Sequence, residues 1–282
     1  MGWRHVLFAD WAVDPAVVRP HVPDALTLDT FDGEAHLSVV PFTNAFVRPR
    51  ALPAGLGFAL PELNLRTYVS HGDAAGVYFF TLDADGLLGV AGARLLHHLP
   101  YHLAAMELAV RHGDGRAGDE PLAPEALDPE TAAAHGASTW GDVDALTRAR
   151  ESGERPSSAG GTGVGAPLVR FASRRRHPGA RPAAFDATYG PVAEPTESEP
   201  GGLRWFLTER YRYYTETPGG ELRYAAVRHD PWRLAEAAAV VRENGLFEAC
   251  GFAEPPGEPT VLYSPGVDVV ASASRRVEGA SD

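Results

Sequence analysis

The sequence contains no lysine: all 25 of its basic side chains are arginine. A lysine-free chain cannot form a side-chain imine, which excludes Schiff-base decarboxylases, aldolases and lysine-anchored pyridoxal enzymes. It also lacks the lysine of Walker-type phosphate loops and of the kinase catalytic strand. Cysteine is nearly missing too. With Cys250 alone, neither an intrachain disulfide nor a cysteine-rich zinc site can be built, which predicts a protein of the reducing cytoplasm. No run reaches the roughly 18 apolar residues of a membrane span, and MGWRHVLFADW has no apolar signal core. Excess positive charge is absent as well. The 37 acids against 25 bases leave a net charge of −12, which opposes binding to nucleic acid or to anionic membranes, since both recruit cations. Adaptation to high salt and a GC-rich genome that replaces Lys with Arg each account for such a composition.

What is present is globular and rich in turns. Hydrophobic residues make up 44% of the chain, and it carries 30 Gly and 24 Pro among 282 residues. Residues 113–165 differ from their surroundings: ten acids against four arginines give this stretch −6, half the net charge, with few large apolar side chains. It reads as an acidic Gly/Ala/Pro-rich surface insertion in a single domain spanning 1–282, with 271–282 as a flexible tail. Within it, Asp128-Pro129 and Asp142 to Arg150 are candidate short helices. Elsewhere strand signals dominate. Leu26 to Phe31 and Glu34 to Val40 flank Asp32-Gly33, a hairpin signal because a type I′ turn needs positive φ at both central residues. Leu63 to Ser70 and Gly76 to Asp83 are joined by HGDAAG, and Leu203 to Glu216 is expected to pair with Glu221 to His229. Helices are expected from Pro15 to Arg19, Leu87 to Leu96 and Pro231 to Glu243, the last capped by Asp230 and stopped by Asn244-Gly245.

Period-2 alternation puts Glu62, Asn64, Arg66 and Tyr68 on one face of a strand and Leu63, Leu65, Thr67 and Val69 on the other. The next strand, Val77 to Leu82, is apolar on both faces, which favours an enclosed polar row over a solvated one. Trp205 to Tyr214 read as a strand mixes aromatic and charged residues on both faces, Glu209 on one and Arg210 on the other. That suits a small-molecule pocket, or equally an exposed sheet stabilised by cross-strand pairs. His98 and His102 have helical metal-pair spacing, but Pro100 between them opposes a continuous helix, so no metal is expected. His102 is better suited to acid–base work. The glycines of Gly161 to Ala166 lie between neither strand nor helix and read as linker. Arg174 to His177 is a local basic cluster of the kind expected on a solvated face, and no Gly-x-Ser-x-Gly elbow occurs.

The ordered motifs FADWAVDPAVVRPHVP, LTLDTFDGEAHLSVVPF, RPRALPAG, PELNLRTYV, GVYFFTLDA, ARLLHHLPYHLAAM, LTERYRYY, VRHDPWRL and YSPGVDV closely resemble the YqjF-like family, a group of unknown function. The likeness covers residues 3–112 and 167–270. It implies the acetoacetate decarboxylase-like superfamily fold: α+β, mainly antiparallel, a curved β-barrel with a central cavity and a few covering helices. In those decarboxylases a Gly-Arg pair precedes a Pro-Lys-Lys segment that carries the imine-forming lysine. Here Ala93-Arg94 precedes Pro100-Tyr101-His102, so the resemblance implies a cavity without imine chemistry, with Glu62 or Arg66 standing for the family's strand glutamate.

Three functions follow. The leading one is binding of a small carboxylate- or carbonyl-bearing molecule through Asn64, Arg66, Tyr68, Arg94, Glu209 and Arg210, since an arginine fork grips a carboxylate with two charge-assisted bonds. The second is a lysine-independent lyase, isomerase or hydratase using Glu62, Tyr101 and His102. The third is a structural or interaction role in which the polar row satisfies itself. No cofactor, nucleic acid or membrane partner is expected, and a homo-oligomer is left open.

Overall fold

The computed structural model describes residues 1–47, 58–87, 90, 94–95, 97–111, 136–151 and 167–277. The RPRALPAG motif, Asp128-Pro129 and Gly161 to Ala166 lie outside the described residues. Sixteen strands form the sheet. The first half of the chain supplies β1 (Gly2–Val13), β2 (Thr27–Leu28), β3 (Ala35–Val47), β4 (Phe58–His71), β5 (Ala74–Ala84), β6 (Tyr101–Arg111) and β7 (Ser138–Trp140). The second half supplies β8 (Leu168–Arg175), β9 (Ala184–Pro191), β10 (Thr196–Glu197), β11 (Arg212–Glu216), β12 (Leu222–Arg228), β13 (Arg233–Asn244), β14 (Thr260–Asp268), β15 (Val270–Ala271) and β16 (Arg275–Arg276).

The pairings β1–β3–β4–β5–β6–β8–β9–β13–β14 return to β1, so nine strands close a ring. All of them are antiparallel except β5 with β6. One apolar cluster draws side chains from every ring strand, among them Leu7, Trp11, Leu37, Leu63, Leu65, Met106, Phe171, Tyr189, Val241 and Tyr263, and fills the ring.

The strand that sets up the rest is β5. One of its edges pairs with β4 along its length; the other pairs in parallel with β11 at Val77 and Tyr78, then with β6 from Leu82. The sheet therefore forks at Phe79–Thr81. One limb closes the ring, and the other, β11 with β12, folds over its outside. Beneath this second leaf and the helix Leu203–Thr208 lies a second apolar cluster. It holds Val6, Phe8, Val40, Phe42, Tyr68 and Leu82 from the outer faces of ring strands, covered by Leu207, Tyr213 and Trp232.

Several local expectations hold. Asp14 caps a helix, Pro15–Val18, by accepting from the Ala16 amide at 2.8 Å. Asp142 does the same for Val143–Glu151, accepting from Ala145 at 2.8 Å. Asp32 and Gly33 both have positive φ, as the type I′ reading requires. The described residues among 87–97 include helical Leu87, Val90, Arg94, Leu95 and His97. Within 113–165, β7 pairs with β13, and Trp140 packs edge-on against Trp11 at 4.8 Å between ring centroids.

Three expectations are corrected. Around Asp32-Gly33 only the single bridge Phe31–Glu34 forms, because β2 turns away to pair with β4. Leu203 to Glu216 is not one strand: Leu203–Thr208 is helical, and only β11 pairs with β12. The segment Pro231 to Glu243 is strand β13, not a helix, despite its alanines. Ala237, Ala239 and Val241 face the ring interior, while Ala238 and Val240 pack under Val143–Glu151. A strand buried on both faces shows no alternation, and small side chains are what the crowded outer face admits. No helix among the described residues is long and apolar enough to cross a membrane.

Candidate functional site

Register brings the polar row together. Reading across the sheet, Asp10 pairs with Ser38 and Ser38 with Arg66; the next row runs Val40, Asn64, Leu82, Tyr101; the third holds Phe42, Glu62 and Ala84. Side chains two residues apart along a strand share a face. Glu62, Asn64, Arg66, Tyr68 and Tyr101 therefore look the same way. That face is not the ring lumen but the buried layer outside it, beneath Leu203–Thr208 and the β11–β12 leaf.

At one end, the Tyr101 hydroxyl donates to Glu62 Oε2 at 2.9 Å and the Asn44 amide donates to the same oxygen at 3.0 Å. Burial outweighs both bonds and raises the Glu62 carboxyl from 4.5 to about 7. The Tyr101 phenol is held well above its ordinary value by burial and by Glu62. At the other end, the Tyr68 hydroxyl donates to Asp10 Oδ1 at 2.6 Å, and Ser38 Oγ hydrogen bonds the same oxygen. Asp10 is raised to about 6, again because burial outweighs the hydroxyls and the nearby Arg66. Between the two ends, the Arg66 guanidinium lies against the Phe8 and Tyr68 rings and donates to the Leu207 carbonyl at 3.3 Å. Arg66 Nε, Asn64 Oδ1 and Asp10 Oδ2 are buried without a hydrogen-bond partner among the described residues. Since buried polar groups are almost always hydrogen-bonded, three in one layer mark it as built for something polar.

The other residues singled out in the sequence are placed elsewhere. Glu209 uses both oxygens as a clamp, accepting from the Trp232 amide at 2.8 Å and from the Tyr211 hydroxyl at 2.5 Å. Arg210 is the exception: tied to Asp29 at 2.6 Å, it lies over both the Phe206 and Tyr68 rings, so it holds the covering helix and touches the Tyr68 end of the layer. The exposed Arg94 donates to the Tyr101 carbonyl at 2.6 Å, so it steadies the strand without joining the polar layer. His102 follows Tyr101 and therefore faces the opposite way, contacting Thr81 at 3.1 Å and Asp83 at 3.7 Å. Burial and nearby Arg175 lower it to about 4. His98 has φ of 55° and ends the helix, so His98 and His102 share no helical face. Among the described residues no cluster of His, Cys, Asp or Glu is arranged to hold a metal.

Asp10 and Ser38 were not expected in the site. The signal available for Asp10 is one acid inside the otherwise apolar run Val6 to Val13. Tyr68→Phe removes one of the two hydroxyls on Asp10 and should destabilise the fold by about 1–3 kcal/mol. Urea denaturation should show a lower midpoint with unchanged slope; an unmoved midpoint would mean that the Asp10 contact carries nothing.

The DUF2071 family model, described as "Uncharacterized conserved protein", matches residues 1–151 and 157–268. The uncharacterized protein YqjF of Bacillus subtilis (strain 168) is 35% identical over 269 residues, covering 95% of this chain and 88% of YqjF. Among solved structures, the enduracididine biosynthesis enzyme MppR complexed with pyruvate aligns with a TM-score of 0.55 and 13% identity, over 100% of this chain and 92% of MppR. An acetoacetate decarboxylase-like enzyme from Sphingomonas wittichii RW1 aligns with a TM-score of 0.50 and 17% identity, over 98% of this chain and 92% of that one. At these identities the structural likeness shows the fold: a mainly antiparallel curved sheet with few helices.

Proposed function

Because the chain belongs to the DUF2071 family and shares the acetoacetate decarboxylase-like fold, we propose that it binds a small carbonyl- or carboxylate-bearing molecule in the buried layer between Glu62–Tyr101 and Asp10–Tyr68. The observation that carries this reading is the pair of buried atoms Asn64 Oδ1 and Arg66 Nε, without a hydrogen-bond partner among the described residues and midway between two carboxyls with raised pKa values. A ligand carboxylate supplies the acceptor that Arg66 lacks, and a hydroxyl or enol supplies the donor for Asn64. Glu62, whose carboxyl stands at about 7, donates to a carbonyl oxygen in its protonated form and is held in place by the Tyr101 hydroxyl. The chain has no lysine for an imine, so recognition rests on hydrogen bonds and charge.

Pyruvate, the molecule bound to MppR, and acetoacetate are suitable probes. Arg66→Ala should weaken their binding by about 1.5–3 kcal/mol for the lost charge-assisted bonds, which is roughly 10- to 150-fold. Calorimetric titration of both proteins reads this directly, and equal affinities would remove Arg66 from the site.

A second reading is favoured by one observation: a carboxyl at about 7 with a phenol 2.9 Å away has the acidity of a general base at work near neutrality. Glu62 would take a proton from the carbon beside the carbonyl while Tyr101 and Arg66 hold the enolate. Uptake of solvent deuterium at that carbon tests it, and Glu62→Gln must abolish the uptake.

A further inference from the structure

The fork in the sheet leaves a second opening, on the side of β6 away from Tyr101. Where β5 passes from β11 to β6, the edge of Phe79–Thr81 has no strand beside it, and a cavity of about 390 Å³ lies there. Its walls are aromatic at Tyr78 and Phe80 and cationic at Arg175 and Arg181, and His21, His98 and His102 also line it. Against these stands one carboxylate among the described lining residues, the exposed Glu216.

Three features make this a built site. The Arg175 side chain is only 3% exposed and is fixed at each nitrogen: Nε to Asp83 and Nη2 to Thr81 Oγ1, both at 2.8 Å, and Nη1 to the Arg181 carbonyl at 3.2 Å. This last bond anchors the backbone that carries Arg181, whose own guanidinium makes no ion pair with a described residue. His98 reaches the wall only by taking φ of 55°, a conformation that costs a non-glycine residue about 1–3 kcal/mol, and the Thr215 hydroxyl holds it there by donating to its carbonyl at 2.7 Å. Strain kept by a dedicated hydrogen bond on a cavity wall is a mark of function.

We propose that this cavity is a second ligand site that takes a small organic carboxylate, its charged end on Arg181 and its apolar body against Tyr78 and Phe80. A guanidinium with no ion-pair partner among the described residues is the natural grip for a carboxylate, and the volume falls within the roughly 300–1,000 Å³ of small-molecule pockets. The site is distinct from the layer around Glu62. The two share strands but use opposite faces, since Tyr101 and His102 are consecutive on β6.

Benzoate is the probe, titrated calorimetrically into the intact protein at pH 7. Saturable binding is expected, weakened at least tenfold by Arg181→Ala, a change at an exposed position that leaves the core untouched, and unaffected by Arg66→Ala. No saturable heat overturns the proposal. So does weakening by Arg66→Ala in place of Arg181→Ala, which would put benzoate in the other layer. If inorganic phosphate binds with the Arg181 dependence while benzoate does not, the carboxylate class is overturned. Because the Arg66 arm is separate, failure here leaves the reading of the Glu62 layer standing, and failure there leaves this one standing.

Discussion

Arg175→Ala should cost the fold about 3–5 kcal/mol, the usual penalty for stranding one member of a buried ion pair. Asp83 and the Arg175 side chain are 1% and 3% exposed, and they join β5 to β8 at 2.8 Å. Truncation leaves Asp83 in the interior with His102 at 3.7 Å. Burial and Arg175 hold that imidazole at about 4 and uncharged in the parent; in the variant it can answer Asp83 only by taking up a proton against the burial that remains. For a chain of this size, each kcal/mol moves Tm by roughly 2–4 °C, so a fall of about 10 °C is expected. Two controls separate the lost charge from the lost volume. Asp83 is already raised to about 6 by burial despite Arg175, and without Arg175 it moves higher. A protonated Asp83 needs no partner, so the penalty should shrink as pH falls from 8 toward 5. Replacing both residues with leucine should recover most of the loss, because an apolar pair strands no charge. A penalty that is flat with pH and persists in the double variant would assign the effect to packing alone.

Glu62→Gln should stabilise the protein at alkaline pH while abolishing any proton transfer. The Glu62 carboxyl stands at about 7 in the fold against an ordinary 4.5. Between those values the folded chain keeps a proton that the unfolded chain has lost, so stability from this group is fully present below pH 4.5 and is lost as pH rises through 7. The loss is on the order of 3 kcal/mol. Glutamine has nothing to ionise and can still accept from Tyr101 and Asn44. The variant should therefore match the parent near pH 4.5 and exceed it by up to that amount at pH 8. Asp10 and Asp83 slope the same way in both proteins and cancel in the comparison. A difference independent of pH would show that Glu62 ionises normally. In the same variant, deuterium uptake into acetoacetate should fall by about 10²–10⁴-fold, the range of a general base. If uptake persists at the parent rate, Glu62 is not the base; if the parent shows none, the protein binds without reacting.

How much of this could be read from the sequence depended on distance along the chain. The alternation from Glu62 to Val69 is local and periodic, and it placed four polar side chains on one enclosed face. The short helices opening at Pro15 and Asp142 and the Asp32-Gly33 turn were equally readable, because each start is decided within a few residues. Partners far apart were not. Arg175 meets Asp83 across 92 residues, and Tyr68 meets Asp10 across 58; no spacing rule reaches that far. The alanines of β13 favoured a helix until tertiary packing on both faces overrode the preference. The family likeness sets His102 beside Tyr101, in the segment that stands against Pro-Lys-Lys. In a strand those neighbours must part, and that parting puts Tyr101 and His102 on opposite faces of the sheet.

The way the sheet ends bears on how the protein behaves at high concentration. The ring strands are paired on both sides except at the short fork Phe79–Thr81, so the outer leaf is the longer place where another chain could add by backbone pairing. There the far side of β12 is occupied by β15 and β16, each only two residues long. The outermost strand β16 is Arg275–Arg276, and a two-residue arginine edge is too short and too charged to template intermolecular growth. Cutting the chain before Val270 would bare Leu222–Arg228, a half-buried β-rich segment, and convert a protected rim into a seed for aggregation.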